Sequence, residues 1–217
     1  MLNLGLVTLI IIAVNVIISF KGFGDRLFFE RYKFNVGAIK RGEQIRMFSS
    51  GFLHADTTHL LFNMVTLFFF ANVVLSRLGN LNFIIIYVAS LLFGNLLSLY
   101  FHKHEDWYSA IGASGAVTGI LYSAILLDPN MSLYMFFIPI PIPGYIFGIG
   151  YLLYSIIGMK KRIGNIGHDA HFGGAVGGYV ITLLMYPSLL QTDLWHVGLL
   201  AIPIVILFVM YKTGKLS

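Results

Sequence analysis

The chain has 217 residues, 58% of them hydrophobic and 11% charged, with a mean hydropathy of +0.83. Soluble domains carry about 25% charged residues, so this composition excludes an ordinary water-soluble fold and implies a membrane bundle. Cysteine is absent, which excludes disulfides, thiolate metal sites and cysteine nucleophiles; the net charge of +5 sits in loops between apolar runs, where lipid phosphate rather than nucleic acid is the expected partner.

A spanning helix needs about 20 apolar residues, and seven stretches are candidates: residues 4–20, 57–76, 81–101, 113–127, 143–157, 170–186 and 195–211. The first lacks a basic leader and a small-residue cleavage site, so a retained helix is expected rather than a signal peptide. Between it and the second, Lys21 to Ser50 holds seven Lys or Arg, three acidic residues and several aromatics. Short helices lying in the membrane interface are the expected outcome. Farther on, Pro139, Pro141 and Pro143 in an apolar setting forbid a helix and predict an extended loop into the fifth span.

The fourth candidate is short. Ala113 to Leu127 is 15 residues, or about 22 Å of helix, against a hydrocarbon core of about 30 Å. One end must therefore stop inside the bilayer, where unpaired N–H groups are tolerated only under protein or water. A recessed wet cavity is implied, and Gly112-Ala113-Ser114-Gly115 lies at it.

Polar residues within spans mark candidate chemistry. The acidic residues all fall in loops or at span ends, so no aspartate pair within two helices exists, and no His-Glu-x-x-His motif occurs. No metal or cofactor is expected. Serine and histidine remain. Ser114 is either a small residue for close helix packing, with Gly115 and Gly119 at the appropriate spacing, or a nucleophile at a helix N-terminus whose free N–H groups suit an oxyanion. It is not the Gly-x-Ser-x-Gly elbow of soluble hydrolases, because Ala116 takes the second glycine's place. His171 opens the sixth span ahead of Gly174 and Gly178, which share its helix face. That flat face permits close contact with the fourth helix, which would bring an imidazole to Ser114 as base. Asp169 points roughly 200° around the helix from His171 and reads as a helix-start residue. His59 and Asn63 share one face of the second span, either as a structural polar pair or as oxyanion donors. His54 reads as structural, and His102 and His104 as solvated loop.

Arg46, His54, His59-x-x-x-Asn63, Gly112-x-Ser114-Gly115 and Ala170-His171-x-x-Gly174-x-x-x-Gly178 occur in order along the chain. Together, over about residues 4 to 186, they resemble the rhomboid proteases. The resemblance implies an all-α membrane protein with a six-helix core over 1–190, plus one additional C-terminal transmembrane helix and tail over 191–217. It implies a Ser114–His171 dyad without an acid, and an oxyanion site of His59, Asn63 and backbone N–H groups around Ala113 and Ser114. Gly112, Gly115, Gly174, Gly178, Arg46 and His54 would support that site. The implied substrates are transmembrane proteins, cut near the outer face of a bacterial cytoplasmic membrane. The alternative is an inactive relative that only binds transmembrane helices; a small transporter would be expected to show internal repeats or charged residues within spans, and the sequence has neither. Two departures stand out: Ile45 precedes Arg46 where the family often has Trp, and Thr118 follows the nucleophile by one turn where an aromatic often stacks on the histidine. On the implied topology every Lys and Arg except Arg77 lies on the outer side, the reverse of the positive-inside rule.

Overall fold

A computed structural model describes residues 5–135, 138–164 and 166–216. Leu4, the first residue of the first apolar run, and Ser217, the last of the expected tail, lie outside them. The first apolar run becomes α1 (Leu6–Gly24). The charged segment after it folds into the short helices α2 (Arg26–Tyr32), α3 (Val36–Lys40) and α4 (Arg46–Ser49), closed by one 3-10 turn at Ser50–Phe52. Asp25 and Asn35 cap α2 and α3 by accepting from the N–H groups of Phe28 and Ala38, both at 2.9 Å.

The second and third apolar runs form two helical limbs in direct succession, together α5 (Thr57–Phe101), which meet at the non-helical Gly79, where φ is 77°. The two spans expected at 57–76 and 81–101 meet at this point. A single left-handed residue suffices, because glycine alone adopts that conformation without strain. After α5 come α6 (Ser114–Leu127), α7 (Gly144–Lys161), α8 (His168–Met185), the short α9 (Leu189–Thr192) and α10 (Leu194–Lys212). Three of these, α1, α5 and α10, are by themselves long and apolar enough to cross a membrane, and α6 is apolar but shorter.

Two small strand pairs qualify an otherwise helical chain. Strands β1 (Phe34–Asn35) and β2 (Ser109–Ala110) pair antiparallel and tie the charged segment to the approach to α6. The proline-rich stretch expected as an extended loop is extended as the strand β4 (Ile138–Pro143), which pairs antiparallel with β3 (Ser132–Met135). Alternating prolines hold the strand extended, and their missing N–H groups suit a two-stranded edge.

At the centre stands α6, with every residue from Gly115 to Leu127 buried. It packs most closely on α5 and α8. Hydrogen bonds from buried side chains pin the surrounding helices. Thr182 donates to Ser123 at 2.7 Å, Tyr122 to the Gly148 carbonyl at 2.9 Å, and Tyr179 to the Val197 carbonyl at 2.8 Å. Without water to compete, such groups must find partners inside the bundle.

Candidate active site

Ser114 is the first residue of α6, and the chain reaches it from β2 through Gly112. Gly112 has φ of 121°, and its N–H donates to the Ser50 carbonyl at 3.0 Å. A methyl group at Gly112 would stand 2.9 Å from His59 Nε2 and 3.8 Å from Ser114 Oγ. Glycine is therefore required twice here, once for the backbone angle and once for the space that the His59 ring fills.

The base candidate arrives by close backbone contact. A methyl group on Gly174 would overlap the Gly115 carbonyl, and one on Gly178 would overlap the Gly119 carbonyl. One on Gly115 would meet the Ala170 carbonyl oxygen at 3.2 Å. Gly115 follows Ser114 and Ala170 precedes His171, so the two touching backbones set serine and histidine at adjoining positions on neighbouring helices. The Ser114 hydroxyl and the His171 ring do not hydrogen-bond to each other here. Catalytic hydrogen bonds often close only around substrate.

Tyr151 from α7 holds His171 instead. Its hydroxyl lies 2.9 Å from His171 Nδ1 and 3.4 Å from Thr118 Oγ1. An aromatic at position 118 is thus replaced by one from another helix. Sequence reasoning missed Tyr151, because a tyrosine in an apolar span has the signature of ordinary core.

His59 caps nothing with its ring; its backbone N–H donates to Asp56 Oδ1 at 2.8 Å, while Nδ1 accepts from the Ala55 N–H at 3.4 Å. With Nδ1 an acceptor, the ring proton is on Nε2, the atom that faces Gly112 and the Ser114 side. That is the tautomer an oxyanion donor needs. Asn63, one turn on, donates to the His59 carbonyl at 3.1 Å and keeps a second N–H.

His54 is wholly buried. Burial, reinforced by the neighbouring His59, drives its pKa down to about 3, so it is neutral. Its Nδ1 lies 2.8 Å from Ser19 Oγ on α1, and Ser19 donates onward to the Phe52 carbonyl at 2.9 Å. Nδ1 therefore carries the proton, and Nε2 accepts from the Ala113 N–H at 3.4 Å. Among the backbone groups considered for the oxyanion, Ala113 N–H is thus already engaged. Arg46 is buried too, donating to the Glu30 and Lys33 carbonyls at 2.8 and 2.9 Å and pairing with Glu43 at 2.7 Å. It staples the charged segment together.

Asp169 lies in the first turn of α8 and turns away from His171, as its helix position requires. It is buried, with Oδ2 3.4 Å from His102 Nε2. The sequence reading put His102 in solvated loop. In fact its Nδ1 pairs with Glu105 at 2.7 Å, its ring stacks on Tyr108 at 3.5 Å, and Arg162 closes on Glu105 at 3.1 Å.

The fold and this site define a polytopic helical membrane protein with a serine at the start of a buried helix, and with His59 and His171 on the helices around it. The rhomboid domain model matches residues 41–188. The chain belongs to the rhomboid family. It is 28% identical to the RHOMBOID-like protein 12, mitochondrial, of Arabidopsis thaliana over 77% of this chain and 54% of that protein. It is 30% identical to Rhomboid protein 1, mitochondrial, of Saccharomyces cerevisiae over 62% of this chain and 40% of that one. With the putative rhomboid protease YdcA of Bacillus subtilis it shares 32% identity over 70% of this chain and 71% of that protein. It thus spans about half the length of the first two.

Proposed function

We propose that this protein is a serine endopeptidase that cuts transmembrane helices within the membrane, with Ser114 as nucleophile and His171 as general base. The observation that supports the reading most is the close approach of Gly115 to the Ala170 carbonyl, because each of these residues is next in sequence to one member of the pair. A serine hydroxyl is unreactive until a base takes its proton, and among the described residues no carboxylate pairs with this histidine, since Asp169 faces His102. The pair works as a dyad. His59 Nε2–H, the second amide N–H of Asn63 and the free N–H of Ser114 hold the negative charge on the attacked carbonyl oxygen.

Seven helices, counting both limbs of α5, cross the membrane in this reading: a six-helix core over 1–190 and an added helix with its tail over 191–217. The site face opens away from the cytoplasm of a bacterial cell. An exposed Arg31→Cys in this cysteine-free chain tests that placement with an impermeant maleimide; labelling only after lysis would turn the site inward.

The chemistry is tested with a fluorophosphonate probe on the folded protein in detergent. Ser114 is expected to be labelled, Ser114→Ala to abolish the label, and His171→Ala nearly to do so. A folded wild-type protein that takes no label and cleaves no membrane substrate would instead be an inactive relative that binds helices.

A further inference from the structure

We infer that Thr118, acting through Tyr151, fixes the tautomer of His171 that accepts the serine proton; this rests on the Ser114–His171 reading. A neutral imidazole carries one proton on one of two nitrogens. With Nδ1 2.9 Å from the Tyr151 hydroxyl, two arrangements are open. If the tyrosine donates to Nδ1, the ring proton goes to Nε2, and His171 has no lone pair for Ser114. If Nδ1–H donates to the tyrosine oxygen, Nε2 is bare and the base works.

What decides is where the tyrosine proton goes. Among the described residues, the groups in hydrogen-bond reach of that hydroxyl are His171 Nδ1 and Thr118 Oγ1, the latter at 3.4 Å. Thr118 is buried, while Tyr151 and His171 are half-buried, so the threonine hydroxyl is the partner on the protein side. By accepting the tyrosine proton, Thr118 leaves the tyrosine oxygen free to accept from Nδ1–H. Thr118 is also one turn beyond Ser114 on the same face of α6. The nucleophile's own helix thereby sets the base through a residue of α7. When His171 takes the serine proton, both ring nitrogens become donors, and the tyrosine oxygen is still the acceptor that the imidazolium needs.

Thr118 and Tyr151 are positioning residues, and the decisive variants keep shape while changing hydrogen bonding. Thr118→Val removes the acceptor at nearly constant volume, and Thr118→Ser restores it. In the full chain in detergent, Thr118→Val is expected to lower kcat at least about tenfold with KM unchanged, a part of the ~10²- to 10⁴-fold that a general base contributes. Thr118→Ser should recover most of it, and Tyr151→Phe should match the valine variant. Nitrogen-15 NMR of histidine-labelled protein, with His171 assigned by its absence in His171→Ala, reads the tautomer directly. Wild type should show the proton on Nδ1 and Thr118→Val should shift it toward Nε2. An unchanged tautomer and unchanged kcat in folded Thr118→Val would overturn the inference. Because the NMR readout needs no turnover, it judges the relay even if the probe never labels Ser114, which would count against the dyad alone.

Discussion

Helix α8 meets two neighbours in opposite ways. Against α6 it presents glycine to glycine, and backbone carbonyls fill the space where side chains would be. Against α7 it presents side chains: His171 meets the Tyr151 hydroxyl, and the His168 ring lies over Gly158. The first seam fixes how far the serine helix stands from the histidine helix, and nothing there can adjust, since carbonyl oxygens are not rotamers. The second seam fixes how the histidine is turned, through hydroxyls and rings that can rotate. Distance and orientation are thus assigned to different helices.

The comparison is broken most completely at the glycine seam. Gly174→Val or Gly178→Val must push the α6 carbonyls aside, and overpacking of this kind typically costs about 1–3 kcal/mol and sometimes more. Because the displacement falls on the Ser114–His171 separation, cleavage and probe labelling are expected to drop below detection, with a lower melting temperature in detergent. Gly150→Ala and Gly198→Ala, where an added methyl meets nothing within 4 Å, should behave as wild type. If the seam variants and these controls lose activity equally, the seam does not set the separation.

The second effect in size sharpens what the site does once distance is fixed. His59→Ala should lower kcat about 10²- to 10³-fold, the usual loss of an oxyanion donor. Asn63→Ala should cost less, because one of its N–H groups is already committed to the His59 carbonyl. Equal and negligible losses in both would return the pair to a structural role.

How much of this was readable beforehand follows the same division. Apolar runs outlined the helices, because in a bilayer the run itself is the signal. The glycine spacing on α6 and α8 announced their contact, because the contact is made by the absence of side chains. The seam with α7 was not legible. Tyr151 lies 20 residues before His171, on a helix whose aromatics read as core, and only tertiary packing brings the two together. The same holds for His102 and Asp169, 67 residues apart in sequence and expected to have no business with each other. The break between the second and third apolar runs was legible and falls at Gly79, whereas the pairing of β3 with β4 was not, because composition predicts breaks in helices better than the geometry of the breaks.

Asp169 provides a smaller test from the side of α8 facing neither seam. Asp169→Asn is expected to leave probe labelling of Ser114 near the wild-type rate, since the carboxylate reaches His102 and not His171. It should lower stability by about 1–3 kcal/mol, the scale for depriving a buried group of its partner. Abolished labelling in a folded Asp169→Asn protein would make the dyad a triad.

The smallest expected effect is a pH dependence seated at His102, just beyond the end of α5. Burial works against charge on this imidazole, but its pairing with the Asp169 and Glu105 carboxylates outweighs it and holds its pKa above the ordinary value. Glu105 is shifted the other way, chiefly by its hydrogen bond from His102 and further by Arg162. A group whose pKa is raised on folding contributes stability in full below its unfolded value, about 6.5 for histidine, and that contribution fades as pH climbs through the folded value. A depressed carboxylate contributes above its unfolded value, about 4.3, and loses it as pH falls through the folded value. The cluster is therefore strongest between about pH 4.3 and 6.5. Melting of the wild-type protein and of His102→Gln, followed in detergent, should differ most within that window and converge as the solution becomes alkaline. A gap that stays constant across the range would mean that His102 contributes through its stacking on Tyr108 rather than through its charge.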